Sequence, residues 1–277
     1  LQRQHDALDQ VTHGGDAWVA RTGKTALVTG ASAGLGSHFA RLFARDGHDL
    51  VLVARRQDKL DQLATELSQA YGTRSTVIAA DLTDPKAPLL IHEQLIRTGT
   101  EVDFLVNNAA FGNNGAFADH DVACELDLVE LNVKALTHLT GLVLPAMLAR
   151  SSGRILNVAS LAGFLPGPFM ATYYASKAYV LSFTEALAHE LRDTGITVTA
   201  LCPGPTATEF AQVAGAESTR LFRGAADAAA VARYGYRSML RGRIIAIPGM
   251  QNKIAGLVLR TSPRKALRIL AERLNKP

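Results

Sequence analysis

Tyr173 and Lys177, in the segment TYYASKAYVLSF, stand four residues apart. On a helix that spacing puts both on one face, whereas Tyr174 is turned by about 100° from Tyr173. An ammonium beside a phenol favours the phenolate and lowers its pKa from about 10. A phenol tuned in this way exchanges protons near neutral pH. The same spacing also occurs in helices that do no chemistry, so the pair points to a reaction only in company.

A glycine cluster near the start of the chain supplies such company. The octapeptide TGASAGLG, residues 29–36, follows the apolar run from Thr25 to Val28 and leads into SHFARLF, so three glycines sit where a strand gives way to a helix. Backbone N–H groups are free there and the helix dipole is positive, which suits a pyrophosphate. Gly30 permits the tight turn, Gly34 lets a phosphate approach the backbone, and Gly36 allows helix and sheet to pack closely. Ser32 and Leu35 fall between them and are expected to share in binding the cofactor. The spacing Gly-x-x-x-Gly-x-Gly differs from the commoner Gly-x-Gly-x-x-Gly, and an ordinary glycine turn is the competing reading.

The end of the next strand distinguishes NAD from NADP. An acid there would select NAD, but LVARRQDKL carries Ala54 followed by Arg55 and Arg56. Two arginines just before a helix oppose its dipole, and a 2′-phosphate partner accounts for them, which favours NADP. A pair of solvated arginines is the plainer alternative. Asp81 and Leu82, at the end of the third strand, offer an acceptor for an adenine amino group or a simple strand-end turn.

These residues need a scaffold, and the hydrophobic pattern describes one. The chain has 277 residues, 48% hydrophobic and 19% charged, enough to bury the core of one large domain. Short apolar runs at 49–53, 76–80, 102–106, 154–158, 196–201 and 243–247 follow the first strand. Helical patterns separate them, at 57–70 with Leu60, Leu63, Ala64 and Leu67 on one face, at 133–150 and at 171–191, and Asp84 is placed to cap another from Pro85 onward. Alternating strands and helices predict an α/β fold: a single-domain, Rossmann-like, doubly wound parallel sheet of seven strands with helices on both faces. Residues 1–22 read as a flexible extension, 23–261 as the dinucleotide-binding and catalytic domain, and 262–277 as a basic amphipathic helix started by Ser262 and Pro263. The long connection 206–222, with Gly215 and several alanines, suits a lid.

With this order in view, the chain resembles the short-chain dehydrogenase/reductase family in its compact single-domain branch. The resemblance is carried by the glycine turn, Asp81, NNAA at 107–110, Asn132 in LNVKA, Ser160 in NVAS, YYASK at 173–177 and CPGPTATEF from Cys202, over about residues 24–250. It implies that Tyr173 is the catalytic acid/base and that Lys177 lowers its pKa while holding the nicotinamide ribose. Ser160 then binds the substrate oxygen, and Asn132 supports a water leading to Lys177. Asn107 braces the central strand, Asn108 and Ala109 adjoin the cofactor, and Pro203, Gly204 and Thr208 lie by the nicotinamide, a role Thr206 shares. Ala110 stands where the family usually has glycine. Ala33 occupies a position that is basic in some NADP-preferring members. The function implied is NADP(H)-dependent interconversion of a carbonyl and a secondary alcohol. The rivals are a 3-oxoacyl-thioester reductase and a non-catalytic NADP(H)-binding regulator, which typically lacks the tyrosine or lysine present here.

Composition narrows the partners. The segments LAGFLPGPFMA, 206–222 and Pro248-Gly249-Met250 are rich in apolar residues and are expected to line a site for an apolar carbonyl or alcohol, or to serve as plain packing. Cys124 and Cys202 lack any paired spacing, so neither metal nor disulfide is expected and a reducing compartment, the cytoplasm, fits. Pro145 interrupts the apolar stretch around Gly141, so no membrane span is expected. Residues 241–277 hold nine Lys/Arg against one acid, a net +8 that leaves the remainder of this +4 chain at −4. That tail lacks interleaved aromatics, which argues against nucleic acid. It suits docking on its own domain or subunit partner, or contact with an anionic membrane or an acidic acyl carrier. The helices 133–150 and 171–191 are the ones that pair subunits in the family, as dimers or tetramers.

Overall fold

Burial on both faces turns the short apolar runs into strands. In β2 (Asp49–Ala54) Leu50 and Leu52 enter one layer of the core and Val51 and Val53 the other, and in β1 (Thr25–Thr29) Ala26 and Val28 oppose Leu27 in the same way. The computed structural model describes residues 22–222 and 224–276; the expected extension lies outside them except for Thr22. With β3 (Ser75–Ala79), β4 (Phe104–Asn107), β5 (Gly153–Val158), β6 (Ile196–Leu201) and β7 (Ile245–Ala246), these strands form an all-parallel sheet in the order β3-β2-β1-β4-β5-β6-β7. The order reverses between β1 and β4, and a doubly wound sheet binds ligands at that crevice.

Helices α1 (Gly34–Arg45), α2 (Gln57–Tyr71) and α8 (Ala228–Leu240) cover one face through Phe39, Phe43, Leu60, Leu63 and Tyr236. The other face is covered by α3 (Ala87–Arg97), α4 (Val122–Val129), α5 (Leu136–Ala149) and α6 (Ala171–Glu190) through Ile91, Leu139, Met147 and Leu187. The fold is a single-domain Rossmann-like sandwich. α3 begins later than Asp84 suggests, because Asp84 Oδ1 accepts from the N–H of Lys86 at 2.9 Å in a preceding turn.

Pro145 does not interrupt its helix as expected. It lies inside α5, and α4 and α5 run together through a π-helical turn at Glu130–Ala135. The resulting helix, Val122–Ala149, is long and apolar enough to cross a membrane, yet Leu128, Leu136, Leu139, Val143 and Met147 are buried in the protein core. Beyond β6 come a short α7 (Phe210–Val213) and, after β7, two helices: α9 (Met250–Thr261) and α10 (Arg264–Asn275). α10 matches the expected basic helix, whereas α9 had no counterpart in the hydrophobic pattern.

Candidate active site

The glycine turn is shaped by close backbone approach. Gly30 and Gly34 have φ of +66° and +52°, which side-chain-bearing residues rarely adopt. A Cβ on Gly36 would lie 2.1 Å from the Gly30 carbonyl oxygen. Gly36 therefore lets the start of α1 press on the backbone that leaves β1 and on Asn108 at the end of β4. Asn108 locks the turn from β4 by donating through Nδ2 to the Thr29 carbonyl at 2.9 Å, while the N–H groups of Asn108 and Ala109 donate to Thr29 Oγ1.

A cavity of about 590 Å³ opens over the carboxyl ends of the strands. Its dinucleotide end is lined by Gly30, Ser32, Gly34, Leu35, Arg55, Arg56, Asp81, Leu82, Asn108 and Ala109, and its other end by Ser160, Tyr173, Lys177, Pro203, Gly204, Thr206 and Thr208. Gly36 and Asn132 are the expected site residues that do not line it: Gly36 lies beneath the turn and Asn132 behind Phe111. Asp81 Oδ1 accepts from the Thr83 N–H at 3.0 Å, and its other oxygen is 4.0 Å from Arg55. Arg56 donates to Glu209 at 2.8 Å and to Ser32 Oγ at 3.3 Å, so the segment that follows β6 and the one that follows β2 meet across the groove.

At the chemical end, one turn of α6 presents the two expected side chains. Tyr173 packs on Phe210 with ring centroids 5.0 Å apart, and the Lys177 ammonium is 5.7 Å from the Tyr173 ring centre. That ammonium donates to the Val158 carbonyl at 2.8 Å. The expected lowering of the tyrosine pKa by Lys177 is absent in this arrangement. Burial pushes the phenol up, a Ser160 hydrogen bond pulls it partly back, and nearby Tyr174 pushes it further up. Burial is the largest of these effects, and the Lys177 hydrogen bond goes to the strand-end Val158 carbonyl rather than to the phenol oxygen.

Burial lowers Lys177 itself to about 8 from 10.5. Its folded value is depressed, so between the two values the unfolded chain binds the extra proton and stability rises with pH across that window. The rise amounts to about 3 kcal/mol. Denaturant unfolding at about pH 7 and about pH 10 should show it in the wild type and not in Lys177→Met.

Asn132 sits in the π-helical turn, and its amide is engaged by backbone: it accepts from the Phe111 N–H at 3.2 Å and donates to the Phe111 carbonyl at 2.9 Å and Ser176 Oγ at 3.1 Å. It makes no direct bond to Lys177 among those present. Ser160, two residues beyond β5, accepts from the Ala162 N–H at 3.1 Å and donates to the Pro203 carbonyl at 3.4 Å. Thr206 Oγ1 donates to the Gly204 carbonyl, and Thr208 Oγ1 accepts from the Phe210 N–H. Asn107 bridges β4 to its neighbours by donating to Asn157 and Thr140.

Several wall residues had no distinguishing signal in the sequence. Tyr174, turned away from Tyr173, donates to Asn275 Oδ1 at 3.0 Å; Asn275 donates to the Pro168 carbonyl at 3.0 Å, and its own carbonyl accepts from Asn114 at 2.9 Å. Through these bonds α10 is docked, and Leu270 and Leu274 line the cavity with Ala255 and Leu259 of α9. Met250, expected in the substrate site, is exposed instead; its helix turns the opposite face inward.

The short chain dehydrogenase family profile matches residues 24–219. The chain belongs to this family. As a short-chain dehydrogenase it is an oxidoreductase, and its relatives bear this out. It is 38% identical over 183 residues to the ketoacyl reductase HetN of Nostoc, covering 66% of this chain and 63% of that protein, so the match spans less than two thirds of this relative. A short-chain dehydrogenase from Sphingobium yanoikuyae in complex with NADPH superposes with a TM-score of 0.78 at 34% identity, covering 85% of this chain and 92% of that one. A member from Burkholderia phymatum in complex with NAD superposes with a TM-score of 0.77 at 25% identity, covering 88% and 94%.

Proposed function

We propose that this dehydrogenase interconverts an apolar carbonyl compound and its secondary alcohol with NADP(H), using Tyr173 as general acid/base. The observation that carries the reading is one continuous cavity with Arg55 and Arg56 at one end and Ser160 with Tyr173 at the other. The turn fits the cofactor because its glycines let the chain fold tightly where β1 gives way to α1, at points where a Cβ would meet protein atoms, and so present the N–H groups of the helix start to a phosphate. When bound, the nicotinamide supplies or accepts a hydride.

The chain's own groups do the rest. The turn's N–H groups and the α1 dipole hold the pyrophosphate, Asp81 accepts from adenine, and Arg55 and Arg56 hold the 2′-phosphate. Asn108, Ala109, Pro203, Gly204, Thr206 and Thr208 border the remainder, and Lys177 holds ribose hydroxyls. In reduction Tyr173 gives its proton to the carbonyl oxygen, and Ser160 donates a hydrogen bond to the same atom as charge develops. Asn132 positions Phe111 and the π-helical turn behind the site and supports proton resupply towards Lys177. Leu165, Met170, Phe222, Leu259 and Leu274 supply an apolar wall.

Calorimetric titration with NADPH and NADH tests the cofactor. Arg55→Ala should weaken NADPH about ten- to hundredfold, the worth of a charge-assisted phosphate contact, and leave NADH unchanged. Equal binding of both cofactors by the wild type would overturn the NADP assignment. Glu209→Gln should tighten NADPH by no more than about fivefold, because the Arg56 pair is half exposed and such pairs contribute about 0–1 kcal/mol.

A second reading, reduction of 3-oxoacyl thioesters, is favoured by the name of the HetN relative and by the basic tail. Turnover of thioester-linked against simple ketones separates the two. A regulator without turnover is disfavoured because Asn132, Ser160, Tyr173 and Lys177 are all present. We place the protein in the cytoplasm as a homodimer or homotetramer; exposed Val122 and Leu126, on the helix that runs into α5, offer apolar surface for a subunit contact.

A further inference from the structure

The two helices that follow β7 are apolar on opposite sides. α9 faces Ala255 and Leu259 into the cavity and packs Gly256 beside Ile247. On its outer side Met250, Ile254, Leu257 and Val258 are 69%, 59%, 66% and 52% exposed. At about 100° per residue these four share one stripe, the side on which a surface helix normally carries charge. No described segment covers it.

Cations lie along one edge of that stripe and on the helix that follows. Lys253 and Arg260 edge it, with their charged ends over the rings of Tyr234 and Phe164 at 5.8 and 5.0 Å. α10 adds exposed Arg264, Lys265, Arg268 and Arg273, with exposed Ile269 among them. From Met250 to Lys276 there are seven cations against Glu272 alone, a net +6.

We propose that α9 and α10 dock this protein on an anionic lipid bilayer, with the α9 stripe at the headgroup boundary and the cations against the headgroups. Apolar side chains on one helix face supply partitioning, and basic residues add attraction to anionic lipid. A second copy is a poorer occupant, since pairing the two stripes would bring two +6 segments together. The inner faces of the same helices wall the cavity, and Leu270 both lines it and reaches the surface. An apolar ketone held in the bilayer would therefore meet the cavity at its mouth; this clause alone rests on the carbonyl reductase reading.

Co-sedimentation of the full chain with phosphatidylcholine vesicles, with and without about one third phosphatidylglycerol, tests the docking. The wild type should bind the anionic vesicles at least about tenfold more tightly than neutral ones and be released by high salt. The double variant Ile254→Glu/Leu257→Glu should lose that binding about tenfold or more while NADPH affinity and vesicle-free turnover of a water-soluble ketone stay unchanged. Equal sedimentation of wild type and variant, or no preference for anionic lipid, would overturn the proposal. So would light scattering that shows a dimer dissolved by the double variant, or tight capture of an acidic carrier protein in place of vesicles. Vesicle binding without any vesicle-free ketone reduction would refute the reductase reading and leave the docking intact.

Discussion

Tyr173→Phe is expected to reduce kcat for carbonyl reduction by about 10²- to 10⁴-fold, the usual worth of a positioned proton donor. That corresponds to about 3–5 kcal/mol of transition-state stabilisation. NADPH affinity should change by less than about twofold, because the phenol oxygen carries the proton while the glycine turn and arginines carry the binding. Tyr174→Phe is the informative contrast. It spares the chemistry but leaves the buried Asn275 Oδ1 without its donor, at about 1–3 kcal/mol of stability. If Tyr174→Phe lost turnover and Tyr173→Phe did not, the assignment of the acid would be wrong. The upward push on the Tyr173 pKa also sets the pH response. Reduction, which needs the protonated phenol, should hold level through neutral pH, whereas alcohol oxidation, which needs the phenolate, should increase as pH rises.

Gly36→Ala is expected to abolish dinucleotide binding and to destabilise the fold by about 3 kcal/mol. The added methyl would meet backbone rather than a flexible side chain: the Gly30 carbonyl oxygen at 2.1 Å and its carbon at 2.7 Å. Asn108, already bonded to the Thr29 carbonyl, holds that turn against relief. For a chain of this size the loss corresponds to roughly 5–10 °C in Tm. Gly141→Ala, in α5 with nothing within 4 Å of the new Cβ, should instead stabilise slightly. Scanning calorimetry with NADPH titration reads both; full NADPH affinity in Gly36→Ala would show that the turn is not the phosphate site.

The scaffold was legible because it is written locally. Leu50 to Val53 and Leu105 to Val106 are continuous apolar runs, which only a strand buried on both faces requires, and the glycine turn marks where the first helix starts. That Tyr173 and Lys177 share a helix face follows from their spacing, and their company along the chain, from the glycine turn to Ser160, points to chemistry. What escaped was set by contacts between distant segments. Nothing near Asn275 signals that it closes a cavity against residues 114, 168 and 174, and nothing near Lys177 announces that its ammonium settles on the Val158 carbonyl. α9 escaped for a different reason: with apolar residues on both its inner and outer sides it has no clean amphipathic period. Glu209 lies inside the quoted CPGPTATEF, yet only the fold shows it reaching Arg56.

The anchoring of Asn275 bears on the order in which the molecule comes apart. Its three bonds close loops of 101, 107 and 161 residues, whereas the sheet is knit by neighbouring crossovers. Elements held by a few long-range contacts open before cooperative cores do. On warming, the substrate wall formed by α10 should lift away while the nucleotide half is still folded. On the proposed reading, the protein would then retain NADP(H) and lose affinity for its apolar substrate at a temperature below that of global melting.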